Sequence, residues 1–259
     1  MTPVYSAHLS TLFTELVPEA RPGAATEAGF THVESWWPPA EDPLEWAALV
    51  RGAGLVAAAL NADGGDLATG ERGYCNRPER RDEVLAAVDA AARVVTAAGG
   101  RNINLLVGRQ HDDAPLPEQL DAAVATVGAA AEVAAGRGAR LVIEHLNPVD
   151  VDRPLLPTPH DAAAFVTRVG HPDVQVLFDA YHAAAAGLDP LAELHRITAP
   201  IGHVQYADFP GRGVPGTGTT SLPALMAALD RIGYRGAVGL EFVPGASTAS
   251  ALAQVSGLG

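Results

Sequence analysis

The sequence predicts a (β/α)8 barrel, and three observations predict it. Eight short runs of apolar, β-favouring residues recur along 259 residues. Alanine-rich, helix-favouring segments fill the gaps between them. No linker or charge block divides the chain, so the eight repeats make one domain spanning residues 1–259, the usual size of such a barrel. A doubly wound open sheet is the other arrangement that the alternation allows.

The strand runs are residues 4–9, 32–36, 55–60, 103–107, 140–145, 174–178, 201–206 and 237–242. The clearest helical segments are 43–51, 78–98, 117–137, 159–169, 190–198 and 222–232. Proline stands at or near the start of several, where its missing N–H costs nothing. Gly52, Gly99, Gly170 and Gly233 follow helix ends, as helix stops do. The connections over 17–29 and from 246 onward carry weaker helical patterns. After the third strand run, Asn61 to Asp66 does not spell a glycine-rich phosphate loop opening a helix.

Composition narrows the function. Hydrophobic residues make up 48% of the chain, enough for a sizeable core, and no apolar run is long enough to span a bilayer. The first ten residues lack the basic-then-apolar pattern of a secretion signal. One cysteine, Cys75, cannot form an internal disulfide, and a reducing cytoplasm is the expected compartment. A net charge of −13 disfavours non-specific binding to nucleic acid. All 17 basic residues are arginine. Without lysine, a lysine Schiff base to a carbonyl substrate is excluded. Carbonyl chemistry here needs another electrophile, and a metal ion is the obvious one. Homo-oligomerisation is left open.

The chemistry-bearing residues cluster at the ends of the last four strand runs, where barrels keep their sites. The fifth ends with Glu144, the sixth with Asp179 and then His182, the seventh with Gln205 and Asp208, and the eighth with Glu241. A carboxylate in an otherwise apolar strand is costly to bury unless paired or bound to a cation. Three carboxylates and an amide oxygen suit Mg²⁺ or Mn²⁺ better than zinc. Each alone reads equally well as an arginine partner or a helix cap. Together, at matching strand ends, they favour a metal site.

His182, three residues past Asp179, stands where a substrate contact is expected. Arg212, among glycines just beyond Gln205, is expected to clamp a substrate carboxylate. His203, two residues from Gln205, shares its strand face and serves either the site or packing. Asn61, His8 and Glu34 near the first three strand ends read equally as functional, core or capping residues. Trp36 and Trp37 wall a pocket or simply pack. His111, His160, His171 and His195 are expected to carry no chemistry.

Motifs spread over nearly the whole chain resemble the hydroxypyruvate isomerase family of the xylose-isomerase-like barrels. They are HLSTLF (8–13), GERG (70–73), NINLLVG (102–108), IEHLN (143–147), FDAYH (178–182), GHVQYADFPGRGVPGTG (202–218) and VGLEF (238–242). The resemblance implies a divalent metal held by Glu144, Asp179, Gln205 and Glu241, with Glu144 and Glu241 as the acid/base pair. Glutamine at 205 separates this family from ketose 3-epimerases and sugar isomerases, which carry histidine there. The chain departs from the family pattern at His145, Thr219 and Val243. The implied reaction is hydroxypyruvate to tartronate semialdehyde through an enediolate. A 2-oxo-tetronate isomerase or a ketose 3-epimerase would use the same residues. A zinc-dependent abasic-site endonuclease and a catalytically inert barrel are the readings from other classes.

Overall fold

Eight parallel strands hydrogen-bond in sequence order and close on themselves, β1 pairing with both β2 and β8. This is a computed structural model, and it describes residues 4–38 and 42–255. The strands are β1 (Tyr5–His8), β2 (His32–Ser35), β3 (Val56–Asn61), β4 (Asn102–Asn104), β5 (Arg140–Glu144), β6 (Val174–Asp179), β7 (Ile201–Tyr206) and β8 (Val238–Leu240). The helices are α1 (Arg21–Glu27), α2 (Pro43–Gly52), α3 (Arg81–Ala97), α4 (Leu116–Ala135), α5 (Pro159–Val169), α6 (Ala180–Ala185), α7 (Pro190–Arg196), α8 (Leu222–Arg231) and α9 (Thr248–Leu252). The closed ring excludes the doubly wound sheet.

Local chemistry sets the boundaries. Asp42, Thr158, Asp189 and Ser221 cap helices with their side chains, each followed directly or one residue later by proline. Thr158 and Asp161 form a reciprocal capping box on α5. Helix α3 presents Val84, Val88, Ala91, Ala92 and Val95 to the barrel, the spacing of one helical face.

Two features differ from the pattern read in sequence. The fourth strand is Asn102–Asn104, not 103–107. Beyond Asn104 the chain turns aside, and the Leu106 carbonyl packs so closely on Gly73 that no side chain would fit there. Leu106 thereby becomes cavity wall. The short helix α6 was not legible in AYHAAA. It is nucleated by the Asp179 side chain, which accepts from Tyr181 N–H at 2.7 Å and His182 N–H at 3.1 Å.

The apolar core lies mainly between strands and helices. Inside the barrel, the buried set is unusually polar: Ser6, His8, Glu34, Asn104, Glu144, Asp179, His203 and Gln205. A polar lumen of this kind is expensive unless its groups hold one another or a ligand.

Candidate active site

Strand register gathers the carboxylates. Asp179 on β6 lies beside Gln205 on β7, Gln205 beside Gly239 on β8, and Glu241 follows directly after β8. Glu144 ends β5, where Asn104 Nδ2 donates to its Oε2 at 2.7 Å. A cavity of about 630 Å³ opens above them, lined by Glu144, Glu241, His182, Arg212, Asn61, Trp36 and Arg72 among others. Asp179 and Gln205 are buried in the barrel mouth.

The electrostatics ask for a cation. Burial pushes the Glu144 carboxyl well above its ordinary range, and neighbouring Asp179 and Glu241 push it further. Burial likewise raises Asp179 to about 7, against the pull of Arg212. Glu241 accepts from Trp36 Nε1 at 2.9 Å and pairs with Arg212 at 3.1 Å. Carboxylates crowded this way either take up protons or share a positive ion.

Gln205 supplies a second test of fit. Its Nε2 donates to Glu34 Oε1 at 2.9 Å, while its Oε1 is buried without a partner. Glu34 also accepts from His203 Nε2 at 2.7 Å. Burial alone would raise Glu34, but His203, His8 and Gln205 outweigh it and hold the group below its ordinary value. An ionised Glu34 accepts only, so the amide must turn its nitrogen inward and leave its oxygen free. Gly239 makes this possible, because any side chain there would collide with the Glu34 carboxylate. Unpartnered oxygen and crowded carboxylates together fit a hard divalent cation.

Donor atoms of Glu144, Asp179 and His182 also lie within 4.8 Å of one another. His182 is a poor third ligand, however. Its Nδ1 accepts from the Asn147 backbone N–H at 3.0 Å and from Asn147 Nδ2 at 2.7 Å. Nε2 lies 3.7 Å from Glu144 and 2.7 Å from Arg212 Nη2, which can only donate, so donors face both ring nitrogens. Burial and Arg212 push His182 well below its ordinary pKa, so the ring stays neutral. The ring lines the cavity with the Arg212 guanidinium beside it.

Arg212 is delivered by a loop that Asp208 organises. The Asp208 carboxylate accepts from the N–H groups of Phe209, Gly216, Gly218 and Thr220 at 2.9–3.0 Å. Paired bonds between Asp208 and Gly213 close the turn, with Arg212 in the left-handed region at φ 52. A non-glycine residue there is strained, which is characteristic of functional positions. Thr219, one of the family departures, bonds the Phe209 carbonyl. Val243, another, lines the cavity.

The remaining residues singled out in sequence fall as follows. Asn61 lines the cavity. His203 does not line it, being buried and bonded to Glu34. His8 lies 3.7 Å from Glu241 and has an unpartnered Nδ1. Trp36 is both wall and donor, whereas Trp37 lines a separate groove. Sequence reasoning missed Asn104, Asn147 and Arg72 as individuals, although all three lie within the quoted motifs NINLLVG, IEHLN and GERG.

Comparison with known proteins places this arrangement. The family model described as xylose isomerase-like TIM barrel matches residues 22–255. The hydroxypyruvate isomerase of Escherichia coli is 32% identical, the match covering 96% of both chains. The 2-oxo-tetronate isomerase of Cupriavidus necator is also 32% identical, again over 96% of both. Among solved structures, a Brucella melitensis protein described as an AP endonuclease, family 2, superposes with a TM-score of 0.91 at 30% identity, over 97% of both chains.

Proposed function

The chain belongs to the xylose isomerase-like TIM barrel family and, within it, to the hydroxypyruvate isomerases, and we propose that it interconverts hydroxypyruvate and tartronate semialdehyde. What carries the reading is one cavity in which Glu144 and Glu241 face the same space beside Arg212 and His182. Relatives named for isomerisation of short hydroxy-oxo acids support the same reaction class.

The reaction moves hydrogen between adjacent carbons. A carboxylate takes a proton from C3 of the substrate, leaving an enediolate. It or its partner returns a proton to C2, while the proton of the C3 hydroxyl passes to the C2 oxygen, so that C3 becomes the aldehyde and C2 carries the hydroxyl. Glu144 and Glu241 are the pair assigned to this work. Such a positioned carboxylate contributes about 10²–10⁴ in rate. The Arg212 guanidinium directs donors at the substrate oxygens, where charge develops, and His182 lines the same space. Glu144, Asp179, Gln205 and Glu241 are the residues that would hold Mg²⁺ or Mn²⁺. When bound, the ion supplies Lewis-acid polarisation of neighbouring carbonyl and hydroxyl oxygens.

One observation favours a longer substrate as a second reading. About 630 Å³ is generous for a three-carbon acid, and a four-carbon 2-oxo-tetronate fits the same chemistry. The endonuclease description of the Brucella structure finds less support, since the expected ion ligands here are mainly carboxylate and amide oxygens, not a histidine-rich zinc set.

The test is turnover by the purified protein, with Mg²⁺ or Mn²⁺ and again after EDTA. Formation of tartronate semialdehyde that EDTA abolishes is the expected result. No turnover of hydroxypyruvate or 2-oxo-tetronate with either ion would sink the assignment.

A further inference from the structure

Arg212, the obvious clamp for a substrate carboxylate, already has occupants. It pairs with Glu241 at 3.1 Å, abuts His182, and stacks 4.7 Å over the Tyr181 ring. Glu144 and Asp179 also draw on its charge. Its position suits it to balance the carboxylate cluster. A second guanidinium in the cavity has no such duty.

Arg72 lines the same cavity from the loop after β3. Its Nη1 donates to the Leu67 carbonyl at 2.9 Å and the Glu71 carbonyl at 2.6 Å. Those bonds fix the plane of the group. Among the described residues its hydrogen bonds are made by Nη1, and Nε and Nη2 find no acceptor. The surrounding wall is apolar, from Leu67, Leu106, Leu146 and Val151. Burial lowers the Arg72 pKa and the Arg109 and Arg212 charges lower it further, opposed by Glu144. An oriented, half-buried guanidinium with a free edge in a low-dielectric wall is a receptor for a planar anion.

Resting on the isomerase reading above, we propose that Arg72 receives the substrate carboxylate and thereby selects 2-oxo acids over neutral ketoses. Arg72, Glu144 and Glu241 line the same cavity, so a substrate held by its carboxylate at Arg72 keeps its ketone and hydroxyl carbons in the space those two glutamates share. Arg212 then acts on the reacting oxygens, not on the acid end.

The experiment compares hydroxypyruvate with dihydroxyacetone, which has the same carbon chain but a hydroxymethyl group in place of the carboxylate. In Arg72→Gln, kcat/KM for hydroxypyruvate should fall about 10- to 100-fold, chiefly through KM, as expected for loss of a charge-assisted bond. The value for dihydroxyacetone should change far less, so the preference for the acid collapses. Arg72→Lys keeps the charge and should recover part of the KM. Binding of Mn²⁺ by each variant reports that the barrel mouth is still formed. A wild-type KM for hydroxypyruvate in Arg72→Gln overturns the receptor and leaves the isomerase reading standing. A wild-type enzyme that turns over neutral ketoses and ignores 2-oxo acids overturns both.

Discussion

Glu34 never reaches the cavity, yet it decides which atom of Gln205 does. As an ionised acceptor facing His203 and the Gln205 amide, it leaves the glutamine oxygen free for a cation. In Glu34→Gln that constraint is lost, because a glutamine can meet either end of another amide. Mn²⁺ affinity measured by calorimetry should weaken about 10- to 100-fold. Unchanged affinity would show that Gln205 orients itself. The proposed acid/base pair is tested differently. Glu144→Gln and Glu241→Gln should each lower turnover by about 10²–10⁴-fold with circular dichroism unaltered. Full activity in either variant removes that residue from the mechanism. Because Glu144 and Asp179 sit above the ordinary carboxyl range, a metal must displace protons to bind. Affinity for Mn²⁺ should therefore rise with pH toward about 7, the Asp179 value, with protons released on binding.

At the scale of elements, the loop from Ala207 to Thr220 shows how a glycine- and proline-rich stretch becomes a rigid holder. Four N–H groups converge on Asp208, and Gly218 lies so close to the Phe209 carbonyl that no side chain fits. Asp208→Asn exchanges an acceptor oxygen for an amide that faces two donors. A loss of roughly 2–4 kcal/mol follows from bonds of this kind, read as a drop of several degrees in Tm, with lower kcat/KM because Arg212 is released. An unshifted Tm and unchanged kcat/KM would mean that the loop is held by its paired Asp208–Gly213 bonds alone.

The same loop marks what was legible in the sequence. Strand ends, helix caps and the four expected ion ligands could be read because each rests on local pattern: apolar runs, proline starts, a carboxylate among valines and leucines. Asn147 and Asn104 could not be assigned roles because their partners, His182 and Glu144, lie 35 and 40 positions away across the barrel mouth, and Arg72 bonds only locally while the cavity it lines is built from distant strands. The short β4 was misread for a related reason. Leu105–Val107 is β-favouring by composition, but close packing against Gly73 pulls the chain out of the sheet.

For the whole molecule, the barrel mouth is a store of destabilisation that a cation would relieve. Asp179 holds its proton more tightly folded, at about 7, than unfolded, near the ordinary 3.8. Stability from this group is therefore fully present below about pH 4 and is lost as pH rises through 7, by up to ~1.4 kcal/mol per pH unit while only the folded state is protonated. His145 works the other way. It is buried, and burial pushes its pKa down to about 3 against the pull of the Asp179 and Leu177 backbone. Its contribution is present above about pH 6.5 and is lost as pH falls. The two trends overlap, so the difference between wild type and Asp179→Asn isolates the carboxyl. Asparagine preserves the cap on α6 and the volume while removing the charge. In EDTA, wild type should lose stability relative to Asp179→Asn between pH 5 and pH 8, measured by urea unfolding. With saturating Mn²⁺ the order should invert, since an ion at 100 times its Kd adds about 2.7 kcal/mol to the folded state that binds it. A difference that ignores both pH and Mn²⁺ would place Asp179 outside any ion site and leave it as a helix cap.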